Sequence, residues 1–129
     1  MIVIDSSVLV AILCNEAERI PFVETIATTD IALLSVANLT EARMVLYPRN
    51  NYLARDLDVF IHAAGIQVEA VTMQQADIAF GAFRQFGRGT GHRAKLNFGD
   101  CFAYALAKER NIPLLFKGDD FVHTDILVA

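Results

Sequence analysis

Four acidic positions stand where strands hand over to helices. Asp5 follows the apolar run Met1-Ile2-Val3-Ile4 and precedes Ser6-Ser7. Glu41 lies within the helical stretch after Ser35, Asp100 comes three residues after Asn97, and Asp119-Asp120 follow Leu114-Leu115-Phe116. In a parallel sheet with right-handed crossovers, strand ends and the starts of the following helices share one edge, so these acids can face a common cleft. Close carboxylates repel and cannot all ionise without a cation. Hard oxygen donors without histidine or cysteine partners select Mg²⁺ or Mn²⁺ over zinc. An ion held that way serves phosphoryl chemistry, activating a water and stabilising charge on attacking and leaving oxygens. Each acid also has a plainer explanation. Asp5 can assist the serines in capping a helix, Asp100 can be a helix N-terminal charge, Glu41 a solvated helix residue, and Asp119-Asp120 turn residues.

A second group is basic. The formal net charge is −4, yet no Asp or Glu occurs between Asp77 and Asp100. That interval holds Arg84, Arg88, Arg93 and Lys95, with His92 among them, and its loop from Gly87 to Lys95 carries three glycines at 87, 89 and 91. A local basic strip can steer a polyanion on an acidic protein, and glycines let a phosphate backbone approach closely. The competing picture is a mobile, solvated loop. The G-x-x-x-x-G-K-[ST] order of a P-loop is absent, and no strand precedes the glycines. His62, His92 and His123 are isolated and show no ligand spacing. Cys14 and Cys101 both sit in apolar helical segments and read as buried free thiols.

The elements that must position these residues follow from periodicity. Met1–Ile4 predicts a fully buried strand and Val8–Cys14 the helix after it. Glu16–Thr28 predicts a second helix with Ile20, Val23, Ile26 and Ala27 on one face and Pro21 tolerated near its start. A strand at Ile31–Leu34 leads to a helix at Val36–Tyr47, capped by Ser35, and then to an amphipathic helix at Arg49–Ala64 ended by Gly65. Ile66–Val71 predicts a strand. Thr72 with Gln75 predicts a capping box opening a helix to Phe86, with Ala76, Ala79, Phe80, Phe83 and Phe86 inward. Asn97 caps a helix to Arg110, apolar nearly all round from Cys101 to Ala107. Leu114–Phe116 and Asp125–Val128 predict a buried strand and a last edge strand. Alternation of this kind makes one α/β domain with a parallel sheet and helices on both faces. At 54% hydrophobic, 20% charged and a mean hydropathy of +0.39, part of the apolar surface is expected to be covered by a partner. No apolar run reaches the roughly 18 residues of a membrane span, and no basic segment precedes Val8–Cys14, so the expected location is the cytoplasm.

Taken together, the strand ending in Asp5-Ser6-Ser7, Leu39-Thr40-Glu41-Ala42, Asn97-Phe98-Gly99-Asp100-Cys101-Phe102-Ala103 and Leu114-Leu115-Phe116-Lys117-Gly118-Asp119-Asp120-Phe121 resemble the PIN domain. Within it they are most similar to VapC-type toxins of bacterial toxin–antitoxin pairs. The resemblance runs from Ile2 to about Ile126 and is most specific in the last two stretches. It implies a single PIN domain over residues 1–129, with a three-layer fold around a parallel sheet of about five strands. The implied activity is a Mg²⁺-dependent (or Mn²⁺-dependent) endoribonuclease, dimeric and held inactive by a VapB-like antitoxin. Asp5, Glu41 and Asp100 carry over directly as catalytic acids. Many PIN domains place the fourth acid where this chain has Gly118; the Lys-Gly-x-Asp-Phe version makes it Asp120 rather than Asp119. Asp5, Asp100 and Asp120 are then the expected metal ligands, with Asp120, like Glu41, acting through metal-bound water or a second ion. Arg84, Arg88, Arg93 and Lys95 are the expected RNA-binding residues.

Other classes fit less well. A haloacid-dehalogenase-like phosphatase needs a second Asp two residues after Asp5, where Ser7 stands. A response-regulator receiver needs an acceptor Asp after its third strand, and Gln67–Thr72 offers none. The remaining alternative is a PIN fold that binds protein without catalysis. The cover expected over the apolar surface is a second copy, paired through the two amphipathic helices at 16–28 and 49–64. The antitoxin would add an apolar segment and an Arg for the carboxylates.

Overall fold

Strand β1 (Ile2–Ile4) is apolar on every residue because the sheet it centres is covered on both faces. The computed structural model describes all of residues 1–129. In chain order β1 is followed by α1 (Ser6–Leu13), α2 (Arg19–Thr28), β2 (Ala32–Ser35), α3 (Val36–Leu46), α4 (Asn51–Ala63), β3 (Gln67–Glu69), α5 (Met73–Phe86), α6 (Phe98–Arg110) and β4 (Leu114–Leu115). The strands form one parallel sheet in the order β3-β2-β1-β4. Ile2, Ile4, Ala32, Leu34 and Leu115 face the core shared with α1 to α4. Val3, Leu33 and Leu114 point the other way, into a core built with α5 and α6. The result is a three-layer α/β sandwich, as the alternation of elements predicts.

Capping sets where most helices begin. Asp5, Ser35, Asn50, Thr72 and Asn97 each accept a backbone N–H from the first turn they precede. Asn97 and Asp100 cap each other reciprocally, with Asn97 Oδ1 accepting from Asp100 N at 2.9 Å and Asp100 Oδ2 from Asn97 N at 3.0 Å. Thr72 caps α5 alone, because the Gln75 amide turns away to donate to Glu109 (3.2 Å).

Four expectations need correction. The final segment does not form a strand. After a 3₁₀ turn at Phe121–His123, the chain pairs with β4 at one position only, Val128 against Leu114. The Asp125 carboxylate is held by Tyr104 and Lys108, so the backbone reaches the sheet edge only at its last residues, and the sheet has four strands rather than about five. Helix α5 is rotated from its expected setting: Gln75, Ala79, Ala82 and Phe86 are buried, while Phe80 and Phe83 are exposed. Small side chains face inward because α5 packs closely on α6, which presents Ala103 and Ala107. Helix α2 begins at Arg19, with Phe22 and Ile26 buried and Ile20 69% exposed. Pro21 falls in its first turn, where the missing N–H has no helical partner to lose. Strand β3 is shorter than expected and lies at the sheet edge with Val68 exposed.

Candidate active site

Asp5 stands at the carboxyl end of the central strand and is only 3% exposed. The backbone fixes it, since Asp5 N donates to Leu115 O of β4 at 2.9 Å. Its Oδ2 accepts from Ser7 N at 3.0 Å and caps α1, so the capping explanation is correct for one oxygen. The other oxygen, Oδ1, is buried with no partner. A buried carboxylate oxygen left bare is costly in a structural role and useful in a binding one. Burial pushes the Asp5 carboxyl up to about 6; hydrogen bonds from Ser7 oppose that, and the negative Glu41 adds to it.

Glu41, on α3, is reached by two donors from different elements. Ser6 Oγ donates to its Oε1, and Asn38 Nδ2 donates to the same oxygen at 3.3 Å. Asp100 enters from the first turn of α6. Burial pushes its carboxyl up to about 7, against the capping bond from Asn97, and the charges of Asp5, Glu41 and Asp120 push in the same direction. Asp120, and not Asp119, is among those charges. It lies in the exposed turn after β4 and makes no side-chain cap. The turn is tied to the site because Lys117 N donates to Ser7 Oγ at 3.0 Å, while Lys117 Nζ pairs with Glu16 (2.7 Å) and Glu18 (3.1 Å).

Thus the sheet edge brings Asp5, Glu41 and Asp120 within electrostatic reach of Asp100, and Glu41 within reach of Asp5. No three of the chain's His, Cys, Asp and Glu side chains are drawn tightly enough to form a ready-made metal cage. The fit to a divalent cation rests instead on the bare Asp5 Oδ1 and on the like charges that raise Asp100. Both strains are relieved by a hard cation at an all-oxygen donor set.

Of the four basic residues, three are brought together. Arg88, Arg93 and Lys95 line an open cavity of about 700 Å³ with Gly89, Gly91 and His92, and no hydrophobic residue takes part. The loop is braced rather than merely solvated. Arg88 N donates to Leu96 O (2.9 Å), Leu96 N to Phe86 O (3.0 Å), and Thr90 Oγ1 to Gly87 O (2.6 Å). His92 accepts from Ala94 N through Nδ1 and packs edge-on against Phe86. Arg84 stands apart on α5, its guanidinium 5.9 Å from the Phe80 ring centre. None of the four enters an ion pair.

Three further participants carry little or no local signal in the sequence. Ser6 was expected as a cap, but Asp5 caps α1 and Ser6 serves Glu41. Asn38 is fully buried and donates to both Glu41 and Gly99. Its signal was an i, i+3 pairing with Glu41 on a helix whose other inward residues are Leu39, Ala42 and Leu46. Gly99 has no such signal: a Cβ there would meet the Glu41 carboxylate, which would have to turn away from its present place. Beside this site lies an apolar cleft of about 610 Å³, lined by Glu41, Met44, Val45, Phe98 and neighbours. Met44 and Phe98 are 70% and 79% exposed.

Comparison with known proteins places this arrangement. The PIN domain matches residues 2–127. The chain is 46% identical over 125 residues to "Ribonuclease VapC30" of Mycobacterium tuberculosis, covering 96% of this chain and 95% of that one. In fold it is similar to the Mycobacterium tuberculosis protein VapC20, described as a Sarcin-Ricin loop cleaving toxin, with a TM-score of 0.78 at 20% identity over 100% of this chain and 98% of that one. It is also similar to VapBC2 from Rickettsia felis bound to a promoter DNA fragment, with a TM-score of 0.75 at 15% identity over 99% and 96%.

Proposed function

The chain belongs to the PIN-domain family, and from that premise we propose that it is a VapC-type toxin, a divalent-metal-dependent endoribonuclease acting in the cytoplasm. The observation that carries the reading is the convergence of Asp5, Glu41, Asp100 and Asp120 at one sheet edge, with an oxygen of Asp5 left bare. Asp5 and Asp100 would hold Mg²⁺ or Mn²⁺ directly, with Glu41 and Asp120 acting through water or a second ion. Such an ion supplies an activated water and neutralises charge on the scissile phosphate. The chain's own groups do the rest. The capping bonds from Ser7 and Asn97 each occupy one carboxylate oxygen of Asp5 and Asp100, so the second oxygen of each is free to point at the reacting centre. Ser6 and Asn38 hold Glu41 beside them.

Arg88, Arg93 and Lys95, with Arg84 further along α5, supply phosphate contacts for the RNA. Replacing Arg88 and Arg93 with Ala should flatten the salt dependence of RNA binding by about one unit of slope for each lost contact. An unchanged slope would remove the loop from the RNA path. A homodimer would cover exposed apolar side chains such as Ile20 on α2 and Tyr52 and Val59 on α4. A VapB-like antitoxin would lay an apolar segment along the cleft beside Glu41 and offer an Arg to the carboxylates. No helix is long and apolar enough to cross a membrane.

The deciding experiment incubates purified protein with total cellular RNA in Mg²⁺, in Mn²⁺ and in chelator. Discrete cleavage products that need metal and vanish in Asp5→Asn support the reading. Intact RNA under every condition would leave the protein-binding alternative standing.

A further inference from the structure

Asn38 is the one wholly buried polar side chain that touches the acidic cluster and is not itself acidic. Its Nδ2 donates to Gly99 O at 2.9 Å and to Glu41 Oε1 at 3.3 Å. The first bond crosses 61 residues and ties α3 to the opening turn of α6, where Asp100 sits. Both bonds come from one amide group, so the position of α6 and the direction of Glu41 are set together. Gly99 also lies close against Glu41, since a methyl group on its Cα would meet the Glu41 carboxylate. A glutamate with three rotatable bonds is thereby held between an amide, a serine hydroxyl and a backbone wall.

The amide's own oxygen gains nothing from this arrangement. Asn38 Oδ1 is buried without a partner. An apolar residue of similar size would spare the desolvation of that oxygen at the cost of leaving the Gly99 carbonyl without its donor, so packing and the Gly99 bond roughly offset each other. What an apolar residue cannot do is aim Glu41.

We propose that Asn38 is a positioning residue: by fixing Glu41 against the Gly99–Asp100 turn, it sets the affinity of the carboxylate cluster for a divalent cation. The inference rests on the metal-dependent reading above. A purely structural amide would make a different prediction, namely loss of stability with the metal response intact.

The test is a titration of the full-length protein with Mn²⁺, read as the rise in melting temperature. It is run on the parent, Asn38→Leu, Glu41→Gln and the double variant. Asn38→Leu should melt a few degrees below the parent without metal, having left the Gly99 carbonyl unpaired, and should need roughly tenfold more Mn²⁺ for half its own shift, the size typical of losing an outer partner at a metal site. In the Glu41→Gln background the same substitution should move the midpoint by less than about twofold, because its effect runs through Glu41. In RNA cleavage at a Mn²⁺ concentration that half-saturates the parent, kcat should fall and KM should hold, and saturating Mn²⁺ should bring kcat back towards the parent value. Asn38→Ser, which is smaller and also loses the amide donor, provides the same readout if the Leu variant does not fold. Equal Mn²⁺ midpoints in parent and Asn38 variants, or an equal loss in both backgrounds, would overturn the inference and leave the nuclease reading untouched. A parent protein that shows no response to Mn²⁺ and no cleavage would overturn both.

Discussion

The two ends of helix α6 put the same side chain to opposite uses. At the N-terminal end, Asp100 sits where the helix dipole and the Asn97 cap both favour a carboxylate. Burial and the neighbouring charges of Asp5, Glu41 and Asp120 nevertheless push it up to about 7. At the C-terminal end, Asp125 packs across the last turns. Burial works against its ionisation, yet bonds from Lys108 (2.7 Å) and the Tyr104 hydroxyl (2.6 Å) outweigh it and hold the carboxyl below its ordinary value. One end concentrates like charge without a counterion; the other matches charge with a cation and a donor. Ties of the second kind are what stability selects. The first kind persists only where something other than folding uses it.

Asparagine substitutions break this comparison most sharply. Asp5→Asn or Asp100→Asn should lower RNA cleavage at least about a hundredfold, the scale of removing a charge-stabilising group at a reacting centre. Neither should lower the melting temperature of the metal-free protein at pH 8, because each removes a charge that the fold disfavours. Asp125→Asn should leave cleavage within about twofold of the parent. Cleavage rates that fall equally for Asp100→Asn and Asp125→Asn would dissolve the distinction between the two ends.

The boundary of the acidic end can be sharpened at the turn after β4. Asp120→Asn should reduce cleavage by about tenfold or more, on the scale of a group that assists through water rather than direct ligation. Asp119→Asn should have little effect, since only Asp120 is among the charges acting on Asp100. Single-turnover rates at saturating metal would rank the two.

Stability against pH should bend in opposite directions for the two ends. Asp5 and Asp100 have folded-state values raised to about 6 and about 7 from an ordinary 3.8. Their contribution to stability is fully present below 3.8 and is lost as pH rises through 6 to 7. Metal-free protein should therefore lose on the order of 2 kcal/mol between pH 5 and pH 8, allowing for the solvent that reaches Asp100. Mn²⁺ should restore more at pH 8 than at pH 5. Asp125 has a depressed value, so its contribution is present above 3.8 and lost as pH falls below it. Denaturant melts across pH 3 to 8 would resolve both limbs. A metal-free protein whose stability rises from pH 5 to pH 8 would contradict the reading of the acidic end.

The contrast also marks what the sequence makes legible. The apolar strand running into Asp5, the Asn97–Asp100 cap and the alternation of elements are local patterns, and all appear where their periodicity puts them. Residues whose roles depend on a distant partner do not announce themselves. Asn38 is meaningful only through Gly99, 61 residues away, and Gly99 only through the Glu41 carboxylate. Helix α5 shows the same limit. Its phenylalanines satisfy an amphipathic pattern, but close packing against the alanines of α6 turns Ala79 and Ala82 inward and leaves Phe80 and Phe83 outside. The last strand fails for a related reason, since Tyr104 and Lys108 capture Asp125 before the backbone can pair.

The smallest effect tests the structural end by itself. Tyr104 is 5% exposed, and its hydroxyl donates to Asp125 Oδ1. Burial and the bond to Asp125 both push its phenol well above the usual range, so the hydroxyl stays a donor at every working pH. Tyr104→Phe deletes that donor while keeping the ring, which packs against Phe86 with centroids 5.9 Å apart. Asp125 keeps Lys108 and reaches solvent, so it is not stranded, and the cost should be that of one net hydrogen bond, about 1 kcal/mol. Cleavage and the Mn²⁺ midpoint should not move. If Tyr104→Phe shifts the Mn²⁺ midpoint as well as the denaturant midpoint, the two ends of α6 are coupled through the helix, and the division of labour between them is wrong.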